Sequence, residues 1–87
     1  MTEDSLITYP CAFPIKVMGA QVDGFELAMV AVARHFDVAF DSTTVERRPS
    51  KGAKYLGLTL TVNVSNREQL DELYRVLSTH PLVRVVL

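Results

Sequence analysis

With 87 residues the chain has material for one hydrophobic core, because a domain of this size buries only about 60–65% of its unfolded surface and cannot divide into two. Its 48% hydrophobic and 22% charged residues exclude a disordered chain, and a net charge of -1 excludes global electrostatic attraction to nucleic acid or anionic lipid. The one cysteine, Cys11, has no partner for an internal disulfide, no apolar run approaches the roughly 20 residues of a membrane span, and the acidic start MTEDSLITYP is unlike a signal peptide, so the expected location is the cytoplasm.

Residues 1–11 show no clear period and read as an irregular arm; residues 12–87 read as a single domain. In FPIKVMG, Phe13, Ile15 and Val17 alternate with Pro14, Lys16 and Met18, the period of a strand with one buried face. DGFELAMVAVARHF predicts a helix capped by Asp23, with Phe25, Met29, Val32 and Phe36 along its core stripe. DSTTVERRP is rich in β-branched residues and predicts a second strand that stops at Pro49, and Pro49, Ser50 and Gly52 supply a strand-to-strand turn. KYLGLTLTVNV is the strongest strand signal, with Leu56, Leu58, Leu60, Val62 and Val64 on one side and Tyr55, Gly57, Thr59, Thr61 and Asn63 on the other. Ser65 and Glu68 have the spacing of a capping box for a second helix, in which Leu70, Leu73, Tyr74 and Leu77 lie opposite Arg67, Asp71, Glu72 and Arg75. The helix stops before Pro81, and LVRVVL predicts a last short strand.

The order βαββαβ, closed by two right-handed crossovers, gives an α+β, ferredoxin-like sandwich. Its four-stranded antiparallel sheet takes the order 4-1-3-2, with the Phe13 and Leu56 strands in the middle and two helices on one face.

YPCAFPIKVMG, SKGAKYLGLTLTVNV, EQLDELYRVL and the terminal PLVRVVL together resemble the bacterial YbeD family of small proteins. The resemblance runs from about Tyr9 onward and implies a ferredoxin-like fold similar to ACT regulatory domains. It also implies a regulatory role linked to lipoic acid, and it brings no catalytic residue set with it.

RRPSKGAKY gathers Arg47, Arg48, Lys51, Lys54 and Tyr55, which makes a nucleic-acid grip the alternative to a solvated turn. RNA-recognition domains share this topology but stack bases on several sheet aromatics, and Tyr55 stands alone. Acylphosphatases share it too, but they need a catalytic cation after the first strand where this chain has Asp23 and Glu26. Cys11, His35 and His80 have no ligand spacing, so neither a metal nor a cofactor is expected, and the histidines suit helix C-termini. Gly19, Asp23 and Gly24, in the turn after the first strand, have the residue types of an ACT-like effector loop. Leu27, Val30 and Ala31 make the first helix more apolar than a water-facing helix requires, which assigns them to the N-terminal arm, through Leu6, Ile7 and Tyr9, or to a partner subunit. On the open face of the sheet, Met18, Tyr55, Thr59, Thr61 and Val86 mix with Lys16 and Arg84 without the pairing of nucleophile and base that an active site needs.

The expectation is therefore a non-enzymatic regulatory or adaptor module for a small-molecule effector or a protein partner, with self-association into a homodimer. Nucleic-acid binding through residues 47–55 is the alternative.

Overall fold

The computed structural model describes residues 8–87. Strand β1 spans Cys11–Ala20, helix α1 Phe25–Phe36, β2 Glu46–Pro49, β3 Tyr55–Val64, helix α2 Arg67–Ser78 and β4 Val85–Val86. The sheet order is β2-β3-β1-β4, the expected 4-1-3-2 arrangement read from the other edge. The long strands β1 and β3 pair antiparallel from Cys11 opposite Val64 to Ala20 opposite Tyr55. That register is fixed by burial: Ile15 and Val17 face the same side as Leu58, Leu60, Val62 and Val64, and a slip of one residue would turn all of them to water. Phe25, Met29, Val30 and Ala33 of α1 and Leu70, Leu73 and Leu77 of α2 close this side. Each large side chain buried there contributes about 1.5–3 kcal/mol.

Several local features differ from the sequence expectation. Helix α1 is entered through Gly24, whose φ of 88° lies in the left-handed region, and Asp23 makes no side-chain cap. The buried stripe of α1 is rotated toward Val30 and Ala33, leaving Val32 and Phe36 half-buried. In α2 the cap is Asn66, whose Oδ1 accepts from the Gln69 amide at 2.8 Å, while Gln69 Oε1 accepts from the Ser65 amide at 2.6 Å. The box thus sits one residue later than Ser65 and Glu68, because Asn66 and Gln69 offer the same i, i+3 pairing. Gln69 also donates to the Phe36 carbonyl at 3.4 Å, which ties the start of α2 to the end of α1.

The second strand is shorter than expected. Asp41 Oδ1 accepts from the Thr43 amide and hydroxyl at 2.9 and 2.6 Å, so residues 42–44 form a short helical turn in place of strand. Local side-chain bonds there win over β-branched composition. β2 consequently covers only Leu56–Thr59 of β3. Farther along, buried Asp37 takes over the exposed edge, its Oδ2 accepting from the amide and side chain of Asn63 at 3.0 Å each. In β4 the facing is the reverse of that expected: Val86 pairs with Val17 and packs toward the core, whereas Val85 pairs with Met18 on the open face. Tyr9 of the arm packs against the core within electrostatic reach of Glu68 and Asp71 of α2, and Leu6 and Ile7 lie outside the described residues.

Candidate functional site

Three places came forward as candidates, and the structure separates them. The β1–α1 turn does not bring its residues together: Gly19 is buried and Asp23 and Gly24 are exposed. A Cβ on Gly19 would press on the Leu82 carbonyl oxygen and stand 2.7 and 2.8 Å from Cε1 and Cζ of Phe25, so the space a side chain would need is already filled by the protein itself. Glycine here serves the packing of β1 against Phe25 and the approach to β4. Neither Asp23 nor Gly24 borders the cavities described below.

The basic cluster is also divided. Antiparallel pairing sets Arg47 opposite Leu58 and Arg48 opposite Gly57, so the two arginines leave opposite faces of the sheet. Arg47 lies on the helix side and forms a two-pronged ion pair with Glu26 of α1, which raises the guanidinium pKa. Arg48 lies on the open face. Lys51 and Lys54 are exposed around the turn, which is pinned where Ser50 Oγ accepts from the Tyr55 amide at 2.9 Å and the Ser50 amide donates to the Tyr55 carbonyl at 2.9 Å. The five residues therefore do not form one positive surface.

On α1, Val30 belongs to the protein's own core and is withdrawn from any partner surface, because the rotated stripe turns it toward the sheet. Leu27, 77% exposed, and Ala31 remain outside. Beside them Ala28, Ala31, Val32, Phe36 and Val76 line an apolar groove of about 330 Å³ between the helices, with His35 and His80 at its edge. His80 has a structural bond, its Nδ1 accepting from the Leu82 amide at 3.1 Å, and His35 lies edge-on to Phe36. Cys11 is half-buried at the start of β1. Among the described residues no three His, Cys, Asp or Glu side chains gather as a metal site would require.

The open sheet face carries the larger cavity, about 400 Å³, within the range of small-molecule sites. Two rows of side chains form it. Arg48, Gly57, Met18 and Val85 run across the sheet in one row, and Glu46, Thr59, Lys16 and Leu87 in the next. The second row reaches Leu87 through backbone bonds, the Leu87 amide donating to the Lys16 carbonyl at 2.7 Å. Tyr55 and Ser50 bound one end. Sequence alternation indicated Lys16, Met18, Tyr55, Gly57 and Thr59 for this face; Arg48 and Glu46 were legible only once ERRP was set in register with LGLT.

These surfaces belong to a known lineage. The family model described as "Protein of unknown function (DUF493)" matches residues 4–87. A UPF0250 protein of Leptothrix cholodnii is 61% identical over 85 residues, covering 98% of this chain and 93% of that one. One from Nitrosomonas europaea is 46% identical over 87 residues, covering 100% of both chains. The solution structure of protein HP0495 from H. pylori superposes with a TM-score of 0.72 at 25% identity, covering 100% of this chain and 94% of that one. No helix among the described residues is long and apolar enough to cross a membrane. The fold and full-length similarity agree with the resemblance carried by KVMG, SKGAKY and the VVL end: the chain belongs to the DUF493 (UPF0250) family, the small bacterial proteins of the YbeD type.

Proposed function

We propose that this protein is a non-enzymatic, ACT-like regulatory or adaptor module that binds a small metabolite on the open face of its sheet and works in the cytoplasm. The supporting observation is the 400 Å³ cavity over β3, which joins an apolar floor to cations and hydroxyls and contains no nucleophile paired with a base. The lipoate link implied by family resemblance makes lipoate the first metabolite to test. A second copy of the chain or another protein would meet the exposed Leu27 and Ala31 side of α1, on the opposite layer, so that binding and association need not compete.

Thermal unfolding with lipoate, amino acids and nucleotides, together with sedimentation of the pure protein, tests this reading. Ligand at a hundredfold excess over Kd adds about 2.7 kcal/mol, a shift of roughly 10–20 °C for a domain of this size. A strict monomer that no metabolite stabilises would refute it. The nucleic-acid alternative is weakened by the pairing of Arg47 with Glu26 on the helix side. Phosphate-backbone contacts would show as a steep loss of affinity with salt.

A further inference from the structure

We infer that the open-face site selects a monoanionic ligand with a small apolar body, laid over Gly57 with its charged end between Arg48 and Lys16. This rests on the open-face reading above and adds the ligand's chemistry to it.

Gly57 is the first observation. It sits inside the central strand β3, where glycine weakens a strand, yet its backbone is not in the left-handed region. A Cβ built on it would meet its nearest atom, the Arg48 carbonyl oxygen, at 3.4 Å, an ordinary contact. Neither conformation nor packing calls for glycine at this position, in contrast to Gly19 on the neighbouring strand. What the missing side chain does provide is a flat floor in the middle of the cavity, the usual reason for a strand glycine that a ligand approaches closely.

Charge is the second. Arg47, Arg67 and Arg75 are held by Glu26, Asp71 and Glu72. Among the described residues no carboxylate pairs with Arg48 or Lys16. They stand on either side of β3, opposite Gly57 and Thr59, with Cα atoms about 12 Å apart from strand spacing and rise, so both long side chains reach the space above those two residues. Glu46 and the terminal carboxylate of Leu87, both in the Thr59 row, offset the two cations, so a second negative charge on the ligand would go unmatched, which favours a single carboxylate over a dianionic phosphate. Met18 and Val85, in line with Gly57, supply the apolar bed for the rest of the molecule.

Amide chemical shifts of the 15N-labelled protein, titrated with hexanoate, hexyl phosphate, 1-hexanol and hexylamine, test the inference. Hexanoate is expected to move the amides of Gly57, Thr59 and Met18 and to bind at least tenfold more tightly than hexanol, with hexyl phosphate weaker than hexanoate and hexylamine weakest. Arg48→Gln and Lys16→Gln should each weaken hexanoate about threefold to tenfold, Gly57→Val should abolish its binding while the protein remains folded, and Arg75→Gln, on α2 away from the cavity, should change nothing. Equal binding of hexanol and hexanoate on this face would overturn the charge selection and leave the open-face reading standing. Shifts located elsewhere, or none with any probe, would overturn both. Concentration-dependent shifts of these amides without a probe would assign the face to a second copy and overturn the ligand proposal.

Discussion

Gly19 and Gly57 lie in the two central strands of one sheet, and the structure requires opposite results when each is changed to alanine. At Gly19 the added methyl overlaps the Leu82 carbonyl oxygen and comes within 2.7 Å of the Phe25 ring. The first is backbone and the second belongs to a ring with 0% exposure, so neither can swing aside. Relief must come from moving the 80–84 segment and the β4 edge it leads into, or from shifting α1. Overpacking of this kind costs about 1–3 kcal/mol, and the backbone clash places Gly19→Ala at about 2–3 kcal/mol, or roughly 8–20 °C in Tm. At Gly57 the new methyl makes only ordinary van der Waals contacts, the nearest at 3.4 Å, and removes chain entropy from the unfolded state, so Gly57→Ala should be neutral or stabilising by up to about 1 kcal/mol. Urea unfolding of the two variants and the parent, at equal slope, gives the comparison. A Gly19→Ala protein as stable as the parent, or a Gly57→Ala protein as damaged as Gly19→Ala, would refute the packing argument and with it the case that Gly57 is there for something other than the fold.

Other substitutions probe separate parts of the structure. Asp37→Ala removes the acceptor for the Asn63 amide and side chain and should cost about 1–3 kcal/mol, with faster hydrogen exchange at Asn63 than at Leu60 as its local signature. Ala53 has a φ of 56° in the turn after β2, so Ala53→Gly should gain up to about 1 kcal/mol in urea unfolding, and no gain would show the strain to be negligible. The Thr43 hydroxyl and amide hold the Asp41 carboxyl below its ordinary 3.8, so its contribution is complete above that value and is lost as pH falls through the lowered one. The stability difference between parent and Asp41→Ala should accordingly be constant near neutrality and shrink in acid. Burial raises the Tyr74 phenol above 10.0, so the stability tied to its neutral form is present below pH 10 and lost as pH rises through the raised value; Tyr74→Phe should hold up better than the parent in alkali.

Alternation in the long strands makes most of the fold legible in the sequence. Leu58, Leu60, Val62 and Val64 can all be buried only if β3 presents one face to both helices, and Ile15 and Val17 then fix β1 beside it. Where two local choices were nearly equal, spacing alone misjudged the outcome. Ser65 with Glu68 and Asn66 with Gln69 offer the same cap one residue apart, and Val32 and Val30 compete for one stripe two positions apart on a helix that is apolar nearly all round. β2 was shortened by Asp41, whose bonds to Thr43 are invisible in a propensity pattern. The candidate site was legible only in part, because a site on a sheet is made of rows, and rows depend on the pairing of strands distant in sequence. RRP reads as one cluster of charge; only its register with Gly57 and Leu58 shows that Arg47 and Arg48 serve different faces.

Intermolecular NOEs from bound hexanoate to methyl groups of the protein would place the ligand on the open face, in the groove between the helices or at the turn before α1. Contacts to the methyls of Met18, Thr59 and Val85 are expected, all on the open face. Contacts instead to Ala28, Val32 and Val76 in the groove between the helices, or to Val22 in the turn before α1, would contradict an open-face site.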